Sequence, residues 1–122
     1  MNVYAFDVDE CLEISNGPVT LQSIMDLRVG GHIVGICGNM NVFCRVRGWH
    51  HLISFLGQGF LPKETFLHGL KLNIPADEHI MVGNVFGEKN GLGFVCGSHD
   101  SEAARIAGWR FIKEDDFANG KR

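Results

Sequence analysis

Residues Val3 to Leu12 read VYAFDVDECL, an apolar run that stops at two aspartates, Asp7 and Asp9, spaced i, i+2. The run constrains the fold because it reads as a strand that ends abruptly in two acids. In extended backbone the i, i+2 spacing projects both carboxylates to one side. Two carboxylates held together repel unless a cation or a shared proton relieves them. A strand ending in such a pair reads as a working site; the alternative is a solvated aspartate cap.

The rest of the chain repeats the pattern of short apolar runs alternating with helical segments, the mark of an α/β protein with a mostly parallel sheet. Strands are expected over 2–8, 32–37, near 52–56, 79–82 and 109–112. Phe94 to Cys96 forms one further short apolar run. Thr20 is placed to cap a helix in which Leu21, Ile24, Met25 and Arg28 follow the helical period, and Gly30-Gly31 ends it. Further helices are expected over 42–48, from Pro62 to about Leu72, and over 100–107, although Trp49 to Phe55 could also extend the first of these three. The reading is one domain, 1–122, a Rossmann-like three-layer sandwich with about five strands in its central sheet.

A chain of 122 residues with 45% apolar and 20% charged composition is an ordinary globular domain. Its net charge of −3, with no basic run before Lys121-Arg122, argues against a nucleic-acid surface. No stretch reaches transmembrane length and no signal peptide is visible, so a cytoplasmic protein is expected, with no membrane role. Cys11, Cys37, Cys44 and Cys96 lack CxxC or ligand-like spacing and read as buried, reduced thiols.

In open parallel sheets, ligands sit beyond the carboxyl ends of the strands. Three expected strand ends meet there: Asp7-Val8-Asp9, Cys37-Gly38-Asn39 and Gly83-Asn84. Their free backbone N–H groups can cradle an anion. A carboxylate pair beside an anion cradle calls for a divalent cation, and Mg²⁺ suits one or two carboxylates plus a substrate phosphate.

With these residues in view, the chain resembles the haloacid dehalogenase superfamily of aspartate-nucleophile phosphohydrolases. FDVDEC is similar to the family's first motif, an apolar strand followed by DxDx(T/V). The second motif ends a strand in Ser or Thr, and Cys37 stands at that hydroxyl position. Lys63 in LPKETFLHGL resembles the third motif's helix-opening lysine. IMVGN is similar to the fourth motif's strand and Gly-Asp pair, with Asn84 in place of the aspartate. SHDSEAARIAGWRFI looks like the family's D-x-x-A-A-x-x-A-G tail, which offers Asp100 as the second acid. An insertion separates Asn84 from Asp100, so Glu88 in VFGEKNG is a rival for that role.

The resemblance implies a Mg²⁺-dependent phosphohydrolase acting on a phosphomonoester through an aspartyl-phosphate. Asp7 would be the nucleophile, Asp9 the general acid and base, and Lys63 the balancing cation. Cys37, Gly38 and Asn39 would hold phosphate, and Asp7, Asp9, Asn84 and Asp100 the metal. Cys37 is a weak donor and Asn84 carries no charge, so the alternative is a catalytically weak or inactive domain that binds phosphate or a protein. Neither 10–20 nor 57–62 has room for a cap domain, so the site should lie open or be closed by a second copy in a homo-oligomer. Among the remaining residues, Phe43, Phe55, Phe60 and Phe66 read as core, His99 as a neighbour of the site, and His50 and His51 as surface.

Overall fold

The computed structural model describes residues 1–122. Five strands form one sheet: β1 Val3–Phe6, β2 Ile33–Cys37, β3 Phe55–Gly57, β4 His79–Gly83 and β5 Arg110–Lys113. Their order is β3-β2-β1-β4-β5 and every neighbouring pair is parallel, so the expected mostly parallel sheet is parallel throughout. The direction of winding reverses at β1, which lies between β2 and β4 and is buried along its whole length.

The helices are α1 Leu21–Val29, α2 Met40–Phe43, α3 Lys63–Asn73, α4 Asp100–Ala107 and α5 Glu114–Ala118. Alternation along β1 sorts them into two outer layers. Tyr4 and Phe6 pack with Ile24 and Leu27 of α1 and Phe117 of α5. Val3 and Ala5 face the other way and pack with Leu67 of α3 and with Ala103, Ala104 and Ala107 of α4. The result is a three-layer α/β sandwich of Rossmann-like build. Phe6 and Phe117 meet edge to face at 5.2 Å between ring centroids, a geometry that adds about 1 kcal/mol to simple burial.

Local chemistry sets most boundaries as expected. Thr20 Oγ1 accepts a hydrogen bond from Ser23 N and so caps α1, and Gly30 closes it. α4 begins at Asp100 and ends at Gly108, whose φ of 74° continues no helix. Pro62 lies at the cap position of α3, one residue before its first turn.

Several expectations are corrected. β1 ends at Phe6, because the chain leaves the ladder at the aspartates. The helix expected over 42–48 is the single turn α2, which ends at Phe43 with Cys44 as its cap, and Gly48 at φ +77° leads into the next turn. Trp49–His51 is a 3₁₀ turn and the third strand starts later, at Phe55. The short apolar run Phe94 to Cys96 carries an isolated antiparallel bridge between Lys89 and Val95. α5 was not anticipated. Cys11, Cys37 and Cys96 are buried, but Cys44 is exposed. Phe43 is buried and Phe55 and Phe66 are half-buried in the core, whereas Phe60 is wholly exposed. No helix is long and apolar enough to cross a membrane.

Candidate active site

The carboxyl ends of β1, β2 and β4 deliver Asp7, Gly38 and Asn84 to one spot, and the first residues of α3 and α4 deliver Lys63 and Asp100 to the same place. Lys63 Nζ lies 2.8 Å from Asp7 Oδ1 and 2.6 Å from Asp100 Oδ1. A lysine at a helix N-terminus opposes the helix dipole, so it is these two carboxylates that hold it. Asp100 suits its own helix start, and its Oδ2 accepts the backbone N–H of Asn84 at 2.8 Å.

Asn84 is fully buried and ties the cluster together. Its Nδ2 donates to Asp7 Oδ2 at 3.1 Å and to the carbonyl of Asp9 at 2.9 Å. Its Oδ1 is buried with no partner. Glycines make the close approach work. A Cβ on Gly38 would stand 2.4 Å from Asp7 Oδ1, and one on Gly83 would stand 2.5 Å from Asp100 Oδ2.

After Asp9 the chain passes through Glu10 at φ 54° and a 3₁₀ turn, Glu13–Ser15, which folds it back over the site. Ser15 Oγ then donates to Asp9 Oδ1 at 2.7 Å. Asn39 caps α2 through its Oδ1 and donates from Nδ2 to Asp9 Oδ2 at 3.2 Å. These two donors fix the Asp9 carboxylate at the edge of a cleft of about 250 Å³. The cleft is lined by Asp7, Asp9, Gly38, Asn39, Gln58, Gly59, Lys63 and Ser98, none of them hydrophobic. A larger hollow of about 470 Å³ surrounds Lys71, Asp77, Glu78 and Arg110, well away from this chemistry.

The electrostatics of the cluster follow from its burial. Asp7 is 2% exposed and Asp100 fully buried, and the two carboxyl groups share a single ammonium. Burial raises the Asp7 carboxyl well above its ordinary range, the charge of Asp100 raises it further, and Lys63 pulls it back. Burial pulls the Lys63 ammonium down, but Asp7 and Asp100 more than offset this and hold it above its ordinary value. The repulsion that the sequence places between Asp7 and Asp9 is therefore between Asp7 and Asp100.

Of the residues singled out in the sequence, Asp7, Asp9, Gly38, Asn39, Lys63, Asn84 and Asp100 come together. Cys37 does not line the cleft. Its side chain belongs to the apolar cluster with Val3, Ala5, Leu67 and Met81, and burial pushes the thiol to about 12 despite Lys63. Glu88 is exposed and paired with Lys113 at 3.2 Å, leaving Asp100 as the acid in the cluster. His50 and His51 are exposed, on the 3₁₀ turn.

Sequence reasoning missed Ser15, Gln58, Gly59 and Ser98. Gln58 and Gly59 follow the carboxyl end of β3 and so obeyed the rule that located the other strand ends. Gln58 Oε1 is another buried oxygen without a partner. Ser15 and Ser98 gave no signal, because each enters the site through the path of a loop. The chain matches no family model, no curated protein and no solved structure.

Proposed function

We propose that this chain is a phosphohydrolase of the haloacid dehalogenase type, without a cap domain. It would cleave a phosphomonoester through an aspartyl-phosphate on Asp7. The observation that carries the reading is Lys63, clamped between Asp7 and Asp100 in a polar cleft over which a second, independently anchored carboxylate, Asp9, is held.

Asp7 Oδ1 faces Gly38 and Lys63 on the cleft side and is the attacking atom. As its bond to phosphorus forms, the bond to the leaving oxygen breaks and the Asp9 carboxyl gives that oxygen its proton. Water then attacks phosphorus, Asp9 takes the water's proton, and the bond to Asp7 breaks to release inorganic phosphate. The Lys63 ammonium and the backbone N–H groups after Gly38 balance charge on the phosphoryl oxygens.

Two features fit a divalent cation. Two buried carboxyl groups share one ammonium, and the buried Oδ1 of Asn84 lacks a partner. A half-turn of that amide would bring Oδ1 to face Asp7 Oδ2 and the Asp9 carbonyl, three oxygens of the kind Mg²⁺ prefers. Asp7, the Asp9 carbonyl and Asn84 would hold the ion, with Asp100 behind them. Bound there, Mg²⁺ would supply positive charge to the phosphoryl group.

The test is hydrolysis of p-nitrophenyl phosphate with Mg²⁺, with EDTA, and by Asp7→Asn. Activity that needs both the metal and Asp7 supports the reading. Full activity of Asp7→Asn contradicts it. A second reading, a phosphate- or protein-binding domain that has lost catalysis, draws on the apolar setting of Cys37 and the neutral Asn84. Asn84→Asp should raise the rate of a slow enzyme and leave a non-catalytic domain silent.

A further inference from the structure

Exposed apolar surface is not spread evenly over this molecule. Three of its exposed large hydrophobic side chains, Phe60, Leu61 and Phe86, stand within two residues along the chain of the cleft residues Gly59 and Lys63 or of Asn84. Scattered exposed apolar residues need no explanation, but their concentration beside one site does. Phe60 follows the cleft residues Gln58 and Gly59 directly and is fully solvent-exposed, so it packs against nothing in the fold.

Phe86 comes two residues after Asn84, and His99 sits between the cleft residue Ser98 and Asp100. Their rings stack face to face, 4.1 Å between centroids and 10° from parallel. Phe86 remains 57% exposed, so the stack keeps aromatic surface open to solvent.

The cleft has no hydrophobic lining residue, and its volume of about 250 Å³ is below the roughly 300–1,000 Å³ usual for small-molecule sites. It suits a phosphoryl group and a counter-ion, and offers the rest of a substrate no apolar contact. The leaving group must therefore rest on the rim, where the available surface is flat and aromatic. On the basis of the phosphohydrolase reading, we propose that the substrate is a phosphomonoester with a planar aromatic leaving group, and that the Phe86–His99 stack and Phe60 select it.

Binding of non-hydrolysable probes tests this by calorimetry in Mg²⁺, using inorganic phosphate, butylphosphonate and benzylphosphonate. Benzylphosphonate should bind roughly five- to tenfold more tightly than butylphosphonate, the ratio an aromatic contact provides. Phe86→Ala and Phe60→Ala should each reduce that ratio while leaving the affinity for inorganic phosphate unchanged. Phe60→Ala carries no folding risk, since that side chain packs against nothing. Equal binding of the two phosphonates, with phosphate still bound, would overturn the rim proposal and spare the phosphohydrolase reading. No binding of any probe would overturn both. A wild-type dimer that Phe60→Ala and Phe86→Ala dissociate, without benzyl preference, would assign the rim to a second copy of the chain and also overturn the proposal.

Discussion

Replacing Glu114 with glutamine removes one ionisation from the core and nothing else of similar size. Glu114 opens α5 just after β5, is fully buried, and has Oε2 without a hydrogen-bond partner. Its Oε1 accepts from the Cys96 thiol, at 3.9 Å. Burial pushes this carboxyl to about 7 from an ordinary 4.5; Asp115 and Asp7 add to the rise, while its own backbone N–H and Lys113 oppose it. A raised carboxyl favours the fold in its protonated form. Its contribution is complete below the unfolded value and is lost as pH climbs through about 7. The gap corresponds to about 3 kcal/mol at 1.36 kcal/mol per pKa. Glutamine imitates the neutral acid at every pH. Glu114→Gln should therefore match the wild type near pH 4.5 and exceed it by up to about 3 kcal/mol at pH 8, on the order of 10 °C in melting temperature for a domain of this size. Thermal unfolding followed by circular dichroism across that range measures the difference directly. A constant offset between the two proteins at all pH values would refute the reasoning, because it would mean Glu114 does not titrate differently in the folded state.

Lys63→Met leaves Asp7 and Asp100 buried without their counter-ion, and urea unfolding should show a loss of about 3–5 kcal/mol, smaller at acid pH where the carboxyls accept protons. Gly38→Ala drives a methyl to 2.4 Å from Asp7 Oδ1; displacing that oxygen should lower kcat about a hundredfold in the aryl phosphate assay. Millimolar Mg²⁺ should raise the melting temperature by several degrees, since a hundredfold excess over Kd contributes about 2.7 kcal/mol. Asp7→Asn and Asp100→Asn should each reduce that rise, and Glu88→Gln, placed on the surface beside Lys113, should not.

What the sequence carried best were the elements with strong periodicity or definite stops. β1, β2 and β4 are apolar runs ended by aspartate or glycine, and α1 and α4 have polar starts and glycine ends. Between Asn39 and Gly57 the elements are three to four residues long, too short for any period to develop, and the helix and strand boundaries drawn there moved. α5 escaped notice because its buried residues are only Glu114 and Phe117, and a glutamate is not read as core. The site was legible where one strand end supplies one site residue, as with Asp7, Gly38 and Asn84. It was illegible where partners depend on loop paths, as with Ser15 holding Asp9 and Ser98 entering the cleft. Pairing Asp7 with Asp9 followed from their spacing. Only the packing of α3 beside α4 shows that Asp100 and Lys63 are the closer charges.

The central claim is a covalent phosphoryl group on Asp7. Enzyme mixed with an aryl phosphate and Mg²⁺, quenched in acid during turnover and digested, should yield a phosphorylated peptide containing Asp7, and the modification should vanish in Asp7→Asn and with EDTA. Sustained phosphate release with no modification of Asp7, or with the phosphoryl group on another residue, would contradict the account.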